Sequence, residues 1–191
     1  MDNYRHRLAG RHGFLVAGAC LAVTISLPGS AETPDSGDTL SLPVVAVVPR
    51  IGPYADFCGR HVNACRLEGT GQIRWEASAA QAVQAINSAV NGEIRFAHDK
   101  ETYGAEDYWA LPLDGAGDCE DMALEKRSRL VAAGYPGAAL RLALVFHPNE
   151  LASHCVLTAE TTKGTFILDS RDNAMQRWDR SGYLFEARER A

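Results

Sequence analysis

Three residues of this 191-residue chain carry the side chains that thiol chemistry needs, in the order Cys119, His154, Asp169. A cysteine attacks as its thiolate, so a nucleophilic one needs surroundings that lower its ordinary pKa of about 8.5. The run Gly117-Asp-Cys-Glu-Asp-Met-Ala-Leu-Glu-Lys126 places Cys119 in the first turn of a helix, where unpaired amides present partial positive charge. An imidazole does the remaining work by taking the thiol proton and returning it to a leaving group. His154 stands at the start of one strand-like run and Asp169 at the end of the next. In a hairpin turning at Thr162-Lys163 the two share a face and lie opposite or one diagonal apart, so the carboxylate can fix the imidazole tautomer. The Cys119 backbone N–H and one side-chain donor would make an oxyanion site, with Trp109 a candidate donor. Taken singly, each of the three has a plainer role as buried filler, strand residue or turn former. Their combination is what points to nucleophilic catalysis.

Two acids, Asp118 and Glu120, flank the thiol, and their charges oppose thiolate formation unless something neutralises or redirects them. Cys155 follows His154 directly, so strand alternation sends it to the opposite face as a small buried apolar residue.

The elements that must hold these residues are readable from periodicity. Residues 78–90 place Ala79, Val83, Ile86 and Val90 on one helical face, with Asn91-Gly92 as a C-cap. Residues 97–109 read as a polar and aromatic loop. Asp118 is positioned to cap the cysteine helix, with Asp121 supporting its first turn. Met122, Ala123, the Lys126 stem, Leu130 and Val131 form the buried stripe of that helix, which stops at Gly134-Tyr-Pro136. Three strand runs follow, Leu140 to Phe146, Cys155 to Glu160 and Thr165 to Leu168, and they read as an antiparallel meander. The aromatic tail, Trp178 to Phe185, is expected to pack back on the sheet.

The N-terminus reads as an export signal over residues 1–31. Arg5, Arg7 and Arg11 form a positive region, Phe14 to Leu27 an apolar run, and Gly29-Ser30-Ala31 a cleavage site. A membrane anchor is the less favoured reading, because the run falls short of the roughly 20 residues a spanning helix needs. A lipoprotein signal at Cys20 is weaker still. Residues 32–49 read as a flexible lead-in and 50–191 as one folded domain. Cleavage would remove Asp2 against Arg5, Arg7 and Arg11 and move the formal charge from −5 to −7, which argues against nucleic acid as a partner. In an oxidising compartment Cys58 and Cys65 favour a local disulfide over a metal site with His61.

Gly117-Asp-Cys-Glu-Asp-Met-Ala123, His154-Cys-Val-Leu157 and Ile167-Leu-Asp169 resemble the motifs of the bacterial transglutaminase-like cysteine peptidases. Phe57-Cys58 to Cys65, Ile86-Asn87 to Val90-Asn91, Tyr103-Gly104, Asp107-Tyr108-Trp109 and Trp178 to Gly182-Tyr183 are similar to family segments in the same order, so the likeness spans about residues 50–188. It departs in Ser170 after the aspartate, in Cys155 after the histidine, and in a short Trp109-to-Cys119 connection.

The resemblance implies an α+β, papain-like fold with the nucleophile helix packed on an antiparallel sheet, together with a periplasmic location and thiol proteolysis on a protein or peptide substrate. The best understood branch resembles a calcium-dependent protease that clips a surface adhesin. By that likeness Ca²⁺ would fall to Asp118 and Glu120, with Asp121 a further candidate, and would offset the charges beside the thiol. No cofactor is needed for the chemistry itself. An inner-membrane regulator enters by analogy alone, and no membrane insertion is expected after signal cleavage. Two other readings stay open: acyl transfer to an amine, and a non-catalytic module binding calcium or a peptide on the same fold.

Overall fold

The computed structural model describes residues 41–43 and 51–190. The expected export signal, and the apolar run Val44 to Val48, lie outside the described residues.

Among the described residues, four α-helices, α1 (Gly52–Arg60), α2 (Ala77–Glu93), α3 (Asp99–Thr102) and α4 (Cys119–Ala132), accompany two sheets. The short strands β1 (Arg95–Phe96) and β2 (Ala116–Gly117) pair in parallel just before α4. The main sheet is built from β3 (Leu140–His147), β4 (Ala152–Thr161), β5 (Gly164–Leu168), β6 (Gln176–Arg177) and β7 (Leu184–Arg188). Its order is β6-β5-β4-β3-β7, with every pairing antiparallel. The expected meander is therefore present, and the tail adds a strand at each edge.

Helix α4 forms where the chain turns rich in Ala, Leu, Glu, Lys and Arg, residues that lose little freedom in a helix. It ends where Gly134 takes a left-handed φ of +90° and the Tyr135 N–H donates to Leu130 O at 3.0 Å. Met122, Ala123, Lys126 and Leu130 are buried along it as expected, whereas Val131 is 47% exposed and lies outside the stripe. The helix packs on β3 and β4, where Leu124 and Leu130 meet Leu140, Leu142, Leu157 and Leu168, with Val83 of α2 and Phe57 of α1 closing the core. On the other face of the sheet Trp178, Tyr183 and Phe185 cover Ala143, Val145, Val156 and Ile167, so the aromatic tail does pack back.

Two local expectations need correction. Helix α2 runs through Asn91-Gly92 to Glu93, and the Asn91 side chain bonds to the 169–173 loop. The 97–109 segment contains a helical turn, α3, whose Asp99 is buried. Within the expected lead-in, Leu42 is buried, donates its N–H to Thr165 Oγ1 at 2.9 Å and accepts from Arg188 at 3.1 Å.

Cys58 and Cys65 form a disulfide, with Cα atoms 5.6 Å apart, that ties α1 to the turn following it. A buried ion pair, Arg127 to Glu189 at 2.6 Å, fastens α4 to the C-terminal segment, and Tyr54 of α1 bonds to both partners.

Candidate active site

The β4–β5 hairpin turns at Thr162-Lys163 with Thr161 opposite Gly164. That register puts Asp169, one residue beyond the last pair Leu157–Leu168, diagonally across from His154. Their side chains meet: His154 Nε2 lies 2.7 Å from Asp169 Oδ1, with both residues buried. With Nε2 turned to the carboxylate, Nδ1 is the nitrogen left for proton transfer.

Asp169 is held on all sides. Its Oδ2 accepts the Tyr183 hydroxyl at 2.5 Å, and its Oδ1 also accepts the Arg171 N–H at 2.9 Å. Burial by itself would raise its pKa. The bonds from His154, Tyr183 and Arg171 together outweigh that, and hold the carboxyl down at about 2. Lys126 lies two turns along α4 from Cys119 and is only 1% exposed. Burial lowers its pKa to about 7, against the opposing pull of the Asp169 charge.

Cys119 is the first residue of α4, and its Sγ accepts the Cys155 N–H at 3.4 Å. The thiol therefore sits against the β4 backbone immediately beside His154. Cys155 itself is buried in the core on the helix side, as strand alternation predicts. Trp109 is buried in the same core cluster as Cys119, with its ring 5.0 Å from that of Tyr54.

The thiol is paired with an acid as well as with a sheet amide. Cys119 Sγ donates to Glu120 Oε2 at 3.0 Å. Burial, then the Glu120 charge and hydrogen bond, raise the thiol pKa well above its ordinary value, with Asp118 adding to the rise and the Cys155 N–H opposing it. Burial and the Glu120 carboxylate thus favour the protonated thiol.

The acids themselves crowd together. One ligand atom each from Asp99, Asp118 and Asp121 lie within 4.8 Å of one another, as do those of Asp99, Asp107 and Glu120, and those of Asp118, Cys119 and Glu120. Asp118 stands at the N-cap position but makes no side-chain cap bond, which corrects the capping expectation. Asp121 Oδ1 accepts the Ala110 N–H at 2.7 Å, and Asp99 accepts that of Tyr108. Each of the three keeps one buried oxygen without a partner: Asp99 Oδ1, Asp118 Oδ1 and Asp121 Oδ2. Burial first, and neighbouring acids next, raise the pKa of Asp118 to about 8; burial raises Asp121 to about 8 and Glu120 and Asp99 upward as well. Buried orphan oxygens on converging carboxylates suit a hard divalent cation, so Ca²⁺ fits this donor set.

Sequence reading missed Asp99, Asp107, Tyr183, Asn91 and the charge of Lys126. Each meets its site partner through the fold, and the alternation and spacing that marked His154 and Asp169 offer no local signal for them. The family model described as bacterial transglutaminase-like cysteine proteinase matches residues 45–191. The chain belongs to that family. The mixed helix and antiparallel-sheet fold, with α4 laid on the sheet, matches the papain-like expectation. Among solved structures the chain is similar to calcium-bound LapG of Legionella pneumophila, at TM-score 0.52 and 28% identity, over 62% of this chain and 68% of that one. A second LapG structure from the same organism gives TM-score 0.51 at 28% identity, over 59% of this chain and 66% of the other. No curated protein sequence matches. Family membership makes this a bacterial cysteine peptidase of transglutaminase-like fold.

Proposed function

We propose that the protein is exported through residues 1–31 to the periplasm, and there hydrolyses a peptide bond of a periplasmic or surface protein with Cys119, His154 and Asp169. The observation that carries this reading is the 2.7 Å His154–Asp169 pair beside the β4 amide that contacts Cys119 Sγ. His154 Nδ1 takes the thiol proton, and Cys119 Sγ attacks the peptide carbonyl. The Cys119 N–H, at the start of α4, faces the developing oxyanion. The imidazolium then gives its proton to the leaving amine, and water, activated by the same imidazole, releases the acyl group. Asp169 stays ionised throughout and keeps the imidazole in register.

Asp99, Asp107, Asp118, Glu120 and Asp121 are the residues that would hold Ca²⁺, which when bound supplies positive charge against the acids beside the thiol. The calcium-bound form of LapG supports this part of the reading. With Glu120 engaged as a ligand, His154 would be the group left to accept the thiol proton.

The test is a pH profile of Cys119 alkylation, with and without Ca²⁺ and with His154→Ala. The calcium-loaded wild type should react well below about pH 7, and both chelator and His154→Ala should move the reaction up toward about pH 8–9. A thiol that reacts only at high pH under every condition would falsify the peptidase reading. Peptide hydrolysis without incorporation of a labelled amine would separate hydrolysis from acyl transfer.

A further inference from the structure

Helix α2 carries a stripe of amides where a core-facing helix normally carries apolar residues. Gln84, Asn87 and Asn91 fall three and four residues apart, on one face. Asn91 Nδ2 donates to Asp169 O at 2.9 Å, Asp172 O at 3.3 Å and Asn173 Oδ1 at 3.0 Å. Asn87, fully buried, donates through Nδ2 to Asp172 O at 3.2 Å and Asn173 O at 3.0 Å. Gln84 reaches only the far end, donating to Asn173 O and accepting the Met175 N–H at 3.1 Å.

The place of Asp169 in the sheet explains what this stripe can do. The β4–β5 ladder ends at Leu157–Leu168, so Asp169 is the first residue without a strand partner. Its side chain is fixed by His154, Tyr183 and Arg171, but those bonds orient a carboxylate only as well as the backbone beneath it is held. The Asn91 amide takes over as the anchor of that backbone, and Asn87 pins the two carbonyls that close the loop. Buried amides on a packed helix are costly unless they bond, and Asn87 Oδ1 and Asn91 Oδ1 are left without partners. The arrangement gives up apolar packing to hold this one loop.

We propose that Asn91, backed by Asn87, is a positioning residue that acts through Asp169 to keep the His154–Asp169 pair in productive register. This rests on the catalytic reading above. It touches neither substrate nor thiol, so its effect should run entirely through the dyad.

The experiment measures Cys119 alkylation against pH on the full chain with Ca²⁺ present, alongside thermal melting. Asn91→Leu should slow alkylation near pH 6–7 by about ten- to hundredfold, because a displacement of about 1 Å at a positioned group can cost that much. It should also move the profile toward that of a free thiol. Asn91→Ala gives the same reading should the leucine variant not fold. In an Asp169→Ala background Asn91→Leu should add less than about twofold, since a residue acting through Asp169 has nothing left to act through. Gln84→Ala should leave the profile within about twofold of wild type. The inference is overturned by an Asn91→Leu protein with a lowered melting temperature but a wild-type profile. It is equally overturned by effects of Asn91→Leu and Asp169→Ala that simply multiply. A wild-type thiol indifferent to His154→Ala would instead bring down the catalytic reading, and this inference with it.

Discussion

Asp169 gathers an imidazole, a phenol, a backbone N–H and, through its carbonyl, an amide side chain around a single loop residue. Its carboxyl is held at about 2, below the ordinary carboxylate value near 4, so it adds stability that is fully present above about pH 4 and disappears as pH falls from about 4 to about 2. That contribution is about 3 kcal/mol at about 1.4 kcal/mol per pH unit. Replacing Asp169 with Asn should flatten the acid limb of a stability-against-pH curve, as followed by denaturant unfolding between pH 2 and 5. Tyr183→Phe removes one of the bonds to Asp169. It should lower kcat about tenfold with KM nearly unchanged, as a steady-state assay on any cleaved peptide would show. An unchanged kcat would mean that the tyrosine only packs against the sheet.

At the scale of elements, the start of α4 depends on a residue that has no side chain. A Cβ built on Gly117 would stand 2.7 Å from Asp121 Cβ and 2.8 Å from its Oδ2, far inside contact distance. Gly117→Ala should therefore push Asp121 off the Ala110 N–H, disturb the acid cluster and weaken calcium binding at least tenfold by titration calorimetry. Further along, α4 is fastened to the C-terminal segment by Arg127 and Glu189, whose side chains are each 4% exposed. Arg127→Met leaves a buried carboxylate with Tyr54 and the Leu142 N–H as its partners, and should cost about 3–5 kcal/mol in chemical unfolding. Pairing it with Glu189→Leu should recover most of that loss, because it is the unpaired charge that costs.

The whole molecule's response to pH follows from the acid cluster. Burial, with neighbouring acids, pushes Asp118 and Asp121 up to about 8 from about 4 in an unfolded chain, so without bound cation the folded chain would bind more protons across that window. Stability must then fall as pH rises from about 4 to about 8. In chelator the melting temperature should be lower at pH 8 than at pH 5. Added Ca²⁺ should raise it more at pH 8, where ligands need not first lose protons. A chelated protein whose melting temperature rises over that interval would show that the cluster is not strained by its own charge.

The amino-acid sequence by itself determined the features that depend on short stretches of chain. The Thr162-Lys163 turn sets the β4–β5 register, and with it the diagonal between His154 and Asp169. The glycine-rich approach and the run of helix formers set the start of α4 at Cys119, and the seven-residue spacing of Cys58 and Cys65 let them close a disulfide. Only the tertiary structure decided what surrounds them. Asn91 reaches Asp169 from 78 positions away, Asp99 joins Asp118 and Asp121 from a helical turn that read as loop, and Tyr183 comes from a tail that read only as packing. Periodicity reports which face of an element is buried, and turn residues report where the chain reverses. Neither reports which polar groups meet across the core once the elements dock, and that meeting orients the dyad and crowds the acids beside the thiol.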